Sequence, residues 1–276
     1  PRSLPVRSAQ QSKDNDVLTL LSPAKTLDFE FSAEGLPSTT PLFQEDIEVL
    51  LGRCKRLTVT NLRELMNISQ PLAELNRQRF QGMTLPFTAD NSKPCLLAFR
   101  GGVYRGLDAA SLSKRDLDWA HHRLRILSGL YGILRPLDLM QPYRLEMGTR
   151  LSNPRGKNLY DFWGDRLVES LNSEHAERPV KAVLNLASNE YFKAVPKKQL
   201  DAPLVTALFQ EIRDGKPKTI SFSAKRARGL MARFIVRNRI DTPDSLKEFA
   251  EEGYSFRPEL SQDNQLLFVR EQNWAA

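Results

Sequence analysis

The chain has 276 residues, 41% of them hydrophobic and 8% aromatic, a length and composition that can bury a sizeable core. Its formal net charge of +7 and pI of about 9.5 favour an anionic partner such as nucleic acid. No apolar run approaches the ~20 residues that cross a membrane, and Cys54 and Cys95 stand far apart without a CxxC, which excludes a disulfide framework or zinc ribbon and fits a reducing compartment.

Residues 1–16 lack apolar periodicity and read as a flexible tail or a leader remnant; their Arg and Ser content leaves an organelle leader open. Val17 to Leu21 is an apolar run suited to a buried strand, and Ser22-Pro-Ala-Lys-Thr26 turns the chain away from it. That turn ends in Lys-Thr as a phosphate loop does, but it lacks the glycines needed to wrap backbone around phosphate, so it is not a Walker A motif. Lys25, at the end of a buried strand, remains a candidate contact. Helical patterns cover about 43–56, 60–67 and 71–81. Between the last two, Asn67, Ile68 and Ser69 resemble the tip of a helix-hairpin-helix, which offers backbone N–H groups to a DNA phosphate. Such tips usually carry glycine on both sides of the aliphatic residue. Asn67 tolerates positive φ and Ser69 does so less readily, so the motif is degenerate and an ordinary αα-hairpin fits equally well.

Pro94 to Phe99 reads as a strand and Arg100 to Gly106 as a glycine-rich turn. Ser113 and Asp116 form a capping-box pattern opening a helix to about Ser128. His121 and His122 are adjacent, hence ~100° apart on a helix and a poor chelate, so no metal site is expected. Glycines and prolines break residues 129–156 into an irregular segment with short helical turns, which carries Arg135 and Arg144. A helix is predicted over Leu159 to Asn172 and a strand over Val180 to Leu186. Polar residues follow that strand, among them Glu190 and Tyr191, and such positions often form a site in α/β proteins. Glu190 has the chemistry of a general acid or base, tuned by Lys193 or Lys225. Pro203 to Ile212 is read as a strand, Pro243 to Glu251 as a short helix and Gln265 to Arg270 as the last strand. The fold class is mixed α/β, a single domain over 17–276 with a β-sheet core surrounded by helices.

The strongest local signal is the window from Arg213 to Arg239, with nine basic residues against the single acid Asp214, a charge of +8. A strand at Thr219–Phe222 is expected to run into a helix capped by Ser223. Leu230, Met231, Phe234 and Ile235 would form its buried stripe, while Arg226, Gly229, Arg233 and Arg237 share another face. On that face Gly229 would let a phosphate approach the backbone.

Four segments in order, Ser22-Pro-Ala-Lys-Thr-Leu27, Leu127 to Gly148 (LSGLYGILRPLDLMQPYRLEMG), Asn185-Leu-Ala-Ser188 with Glu190-Tyr191, and Ala224-Lys-Arg-Ala-Arg-Gly-Leu-Met231, closely resemble the peroxide stress resistance protein YaaA family. The similarity runs over about residues 17 to 271. It implies a cytoplasmic protein of the peroxide response that limits damage to DNA and protein and holds down free intracellular iron. It also implies a single unusual α/β fold with a helix-hairpin-helix and DNA binding in a positively charged cleft. Two positions depart from the family pattern: Gly102 stands where aspartate is common, and Asn189 where aspartate often precedes Glu190. Both remove a carboxylate, which a DNA groove tolerates more easily than acid–base chemistry does.

Two functions fit these residues. In a non-catalytic DNA-binding protein, Lys25, Arg100, Arg135 and Arg144 would contact phosphates together with Lys225, Arg226, Arg228 and Arg233. The Asn67–Ser69 tip would add backbone donors. The basic helix would face Lys25 and the Arg135–Arg144 segment across a cleft that holds double-stranded or branched DNA with little sequence preference and no cofactor. The alternative is an enzyme acting on a nucleotide or nucleic acid through Lys25, Glu190, Tyr191 and Lys225, which requires Lys25, Glu190 and Lys225 to converge in one enclosed pocket. Direct iron chelation is the weakest idea, since His and Cys are few.

Overall fold

Val17, Leu18, Leu20 and Leu21 are each at most 1% exposed, so the strand that holds them, Asp16–Leu21, must be covered on both faces. In the computed structural model, which describes residues 16–271, this strand lies inside a mixed α/β domain built on a mostly parallel sheet. Apart from Asp16, the proposed tail or leader remnant of residues 1–16 lies outside the described residues. Across the sheet the order is Ser255–Phe256, Gln265–Arg270, Leu204–Arg213, Val180–Asn185, Asp16–Leu21, Leu124–Ser128 and Gly132–Leu134. The middle five are mutually parallel, and an antiparallel strand finishes each edge.

This order creates a switch point. Asp16–Leu21 is followed in the parallel set by Leu124–Ser128 on one side of it. Its other neighbour, Val180–Asn185, is followed by Leu204–Arg213 on the opposite side. The chain therefore leaves two adjacent strand ends in opposite directions, which leaves a crevice beyond their carboxyl ends.

Helices Gln44–Lys55, Val59–Met66 and Gln70–Gly82 form one layer, with Leu50, Leu62, Ala73 and Phe80 fully buried. The last two make an αα-hairpin. Asn67 adopts the left-handed conformation at φ 49°, as its side chain tolerates, and Ser69 is extended. The Ile68 N–H is already bonded to Arg63 O at 3.2 Å, so that donor is spent within the hairpin. Among the described residues no helix is long and apolar enough to cross a membrane.

Several elements differ from the sequence pattern, each for a tertiary reason. The helix after Ser113 is Lys114–Arg123, with the predicted capping box in place, but it ends there because Leu124 to Ser128 are five consecutive buried residues of a sheet strand. Pro94 to Phe99 is not one strand: Cys95–Ala98 forms a buried helical turn between the short strands Lys93–Pro94 and Phe99–Arg100. The glycine-rich stretch is a helix, Gly102–Leu107. Gly164 at φ 49° splits the predicted helix into Leu159–Trp163 and Arg166–Glu177. The Pro243–Glu251 region is 3-10 helix, at Asp244–Glu248 and Glu251–Gly253.

Residues 129–156 hold no regular helix; they contain the short strands Gly132–Leu134 and Leu139–Met140 and isolated turns, such as those closed by Asp138 N to Arg135 O at 2.9 Å and Thr149 N to Glu146 O at 3.0 Å, and are otherwise irregular. Much of this irregular chain is nevertheless buried, so side chains must satisfy its backbone. Trp163 Nε1 donates to Gly129 O at 3.0 Å, and the fully buried Asp138 accepts from Arg135 N at 2.8 Å and Thr39 Oγ1 at 2.6 Å. His121 Nδ1 accepts the Leu137 N–H at 3.2 Å.

The basic helix is Ser221–Asn238; Thr219 and Ile220 are loop, and Ser223 lies within the helix instead of capping it. Gly229 does not open a face to phosphate. It is buried where this helix crosses Gly102–Leu107, and a Cβ on Gly229 would come within 1.8 Å of Val103 O. On the partner helix, a Cβ on Gly106 would come within 2.3 Å of Arg226 O. Only glycine at both positions lets the two backbones approach this closely.

Two outcomes follow for stability. Gly229→Ala should cost about 3 kcal/mol or more in urea unfolding, the upper range for forced overpacking. Gly52→Ala, exposed in Gln44–Lys55 with nothing within 4 Å of the added carbon, should instead stabilise by about 0.5–1 kcal/mol. Burial, reinforced by Arg135, lowers the pKa of His121 to about 4 from an ordinary 6.5. Between those values the unfolded chain binds a proton that the folded chain does not, so stability should decline as pH falls from 6.5 towards 4. His121→Gln should flatten that decline when unfolding is measured across the same range.

Candidate functional site

The crevice at the switch point is lined by the turn after the first strand and the turn after Val180–Asn185. The two turns are tied together: Ser188 N donates to Ser22 Oγ at 2.8 Å, and Ser22 Oγ donates to Ser188 Oγ at 3.3 Å. Tyr104 anchors the first turn from the side by donating its hydroxyl to Ser22 O at 2.9 Å. The third wall comes from the helix crossing. Because Gly106 and Gly229 bring Gly102–Leu107 against Ser221–Asn238, Lys225 and Arg228 join Gly101 and Gly102 around a cavity of about 280 Å³.

Lys25, Arg100, Lys225 and Arg228 all line this cavity, as do Glu190 and Tyr191. Lys25, Glu190 and Lys225 thus border one hollow, and all three are exposed. The cations are not equivalent. Lys25 Nζ sits 3.0 Å from Glu146 Oε1, which Arg144 also approaches at 3.0 Å. Arg100 is committed to Asp28 Oδ2 at 2.7 Å and to Leu97 O at 2.7 Å. Lys225 is exposed and has no ion pair among the described residues. Arg228 is partly buried, its Nε is inaccessible without any hydrogen-bond partner, and burial alone lowers its pKa. It lines the pocket as a cation with no ion pair among the described residues.

Glu190 is exposed, and its Oε1 accepts the Gly148 N–H at 3.0 Å. Tyr191 is buried, and that burial pushes its hydroxyl well above the ordinary range, so it serves as a hydrogen-bond group and not as a phenolate. Gly148 belongs also to a second, more open hollow of about 680 Å³, bordered by Arg53, Arg56 and Arg150 and by Asn61 of the first hairpin helix. The Glu190–Gly148 bond is where the two hollows meet. Cations line both hollows, with the Glu190 carboxylate between them and Glu64 in the second, and the Asn67–Ser69 tip lines neither.

The remaining sequence candidates have other partners. Arg135 is held by the buried Asp138 at 2.8 Å and donates to Thr40 O at 2.9 Å. Arg226 pairs with Glu252 at 2.5 Å. Arg233 donates to Leu107 O and Asp108 O, each at 3.0 Å, closing the end of the crossing helix. Arg53, Arg56, Arg150, Glu146 and Ser22 take part without having been singled out by sequence. Only the spacing of Arg53 and Arg56 on one helical face hinted at a cationic patch.

The family model for peroxide stress protein YaaA matches residues 17–260. UPF0246 proteins of Burkholderia mallei strain SAVP1 and Burkholderia pseudomallei strain K96243 are each 52% identical to the chain over 256 residues, which cover 92% of it and 98% of theirs. One of Burkholderia cenocepacia strain HI2424 is 51% identical over the same length.

The division of labour along the basic helix can be measured by unfolding. Arg228→Met, which removes an unpaired cation, should leave stability within about 0.5 kcal/mol of the parent or raise it. Arg233→Met strands the Leu107 and Asp108 carbonyls and should cost about 1–3 kcal/mol.

Proposed function

This chain belongs to the peroxide stress protein YaaA family, and we propose that it serves the peroxide response by binding nucleic-acid phosphate, DNA foremost, in the cationic path from the second hollow to the switch-point pocket. The observation that carries this reading is Arg228, a partly buried guanidinium that, like Lys225, has no ion pair among the described residues and lines the same hollow as Lys225 and Lys25. Phosphate contacts by lysine and arginine give affinity with little base preference. Arg56 and Arg150, exposed beside the αα-hairpin, extend those contacts beyond one phosphate.

Thiol chemistry does not account for a peroxide role here. Cys54 and Cys95 are both buried; burial pushes the Cys54 thiol up to about 12 and the Cys95 thiol well above its usual value. Reactive thiols need a depressed pKa and access. Among the described residues no group of three or more His, Cys, Asp or Glu side chains could hold a metal ion. The link to free iron that the family resemblance implies therefore runs, in this proposal, through protection or control of DNA and not through a chelate.

A second reading, chemistry on a nucleotide, is favoured by one observation: Lys25, Glu190 and Lys225 share a single cavity. Glu190 would be its acid or base, while Tyr191 stays a neutral phenol.

DNA affinity measured by anisotropy over a salt series distinguishes the path from a diffuse surface. The double variant Arg150→Gln/Lys225→Gln should bind more weakly on all sequences, with the log–log salt slope reduced by up to about 0.9 for each phosphate that the variant no longer neutralises. An unchanged slope, or no DNA binding by the parent chain, would rule this function out.

A further inference from the structure

Resting on the reading of this path as a phosphate site, we propose that the switch-point pocket seats one nucleotide unit, its phosphate on Lys225 and Arg228 and its base against the opposite apolar wall. The cavity of about 280 Å³ lies just under the ~300 Å³ at which small-molecule sites usually begin. It holds one nucleotide-sized group and cannot admit a duplex, whose paired bases lie inside two backbones. A duplex backbone passing over the mouth would meet the exposed Lys225 before the partly buried Arg228.

The lining is divided in the way such a ligand requires. Lys225 and Arg228, three residues apart on one helical face, supply the charge. Pro23, Ala24, Val103 and the rings of Tyr104 and Tyr191 supply apolar surface, with Tyr104 and Tyr191 8% exposed or less. Inorganic phosphate alone would leave that surface empty, and an apolar ligand would leave Arg228 unpaired. Ser188 and Glu190 stand at the edge, where hydrogen bonds fix orientation. The meeting of the pocket with the Arg53–Arg56–Arg150 hollow at Gly148 gives the rest of a strand somewhere to lie.

The unit can come from a free nucleotide or from an unpaired or strand-end nucleotide of DNA, which costs less to unstack than a paired one. The test therefore has two arms on the purified full chain. Calorimetry compares a nucleoside 5′-monophosphate with its nucleoside and with inorganic phosphate. Fluorescence titration compares a fully paired duplex with the same duplex carrying one unpaired 2-aminopurine. The monophosphate is expected to bind about tenfold tighter than either fragment, and the unpaired duplex about tenfold tighter than the paired one, with a rise in 2-aminopurine emission. Arg228→Met should abolish both preferences and Lys225→Gln should reduce them, each preference being read as a ratio within the same variant. A preference in one arm only, lost in Arg228→Met, supports the pocket and identifies the source. Absence of both preferences overturns the pocket even where paired duplex binds. Failure of both duplexes, with the monophosphate preference intact, removes DNA binding and leaves the nucleotide pocket.

Discussion

Everything that positions the site follows from two neighbouring parallel strands whose chains must depart in opposite directions. Asp16–Leu21 and Val180–Asn185 are hydrogen-bonded side by side, yet the chain runs on from them to strands on opposite sides of the pair. Neither departing turn can cover the end of the other strand, so the sheet opens at that point by topology. The Ser22–Ser188 hydrogen bonds then fix the two turns to one another. A crevice of this origin is rigid, because closing it would require breaking sheet pairing and not merely moving a loop.

The charge in the crevice is supplied by an element that the sheet does not dictate. Gly102–Leu107 and Ser221–Asn238 cross with a carbonyl of each helix lodged where the other would carry a Cβ, at Gly229 and Gly106. Side chains at either position would push the helices apart and carry Lys225 and Arg228 away from the turn at Ser22. The same crossing explains why Arg226 and Arg233 flank the seam and are spent on Glu252 and on the Leu107 and Asp108 carbonyls. Position on the helix thus sorts four neighbouring cations into two that hold the fold and two that face the pocket.

Four of the five parallel strands were legible in the sequence as short runs of consecutive or alternating apolar residues; Leu124–Ser128 was not, because its apolar run continues the pattern of the helix before it. Val17–Leu21 and Gln265–Arg270 needed no tertiary information, and the strand read at Pro203–Ile212 is present as Leu204–Arg213. The basic window was legible as charge. Its geometry was not, since a glycine between arginines reads the same whether it admits a phosphate or a neighbouring helix. What distinguishes the cases is Gly106, more than a hundred residues earlier, and no local pattern connects the two. Residues 129–156 were opaque for a related reason: glycines and prolines mark irregular chain anywhere, and it is side chains such as Asp138, Trp163 and His121, bonded to its backbone, that show this irregular chain to be core.

The treatment of charge across the molecule gives Arg228 its meaning. Arg226 has Glu252, Arg100 has Asp28, Arg135 has Asp138, and Lys25 shares Glu146 with Arg144. Among the described residues Arg228 has no such carboxylate, and burial lowers its pKa. Its Nε is inaccessible and unsatisfied, which costs stability, and an anion in the pocket would offset part of that cost by pairing with the charge as a whole. Pro23, Ala24, Val103, Tyr104 and Tyr191 line the same hollow, so in the proposed site that anion carries an apolar group of modest size. Phosphate joined to a single base and sugar meets both demands, which is why the fold points to a nucleotide more specifically than to charge alone.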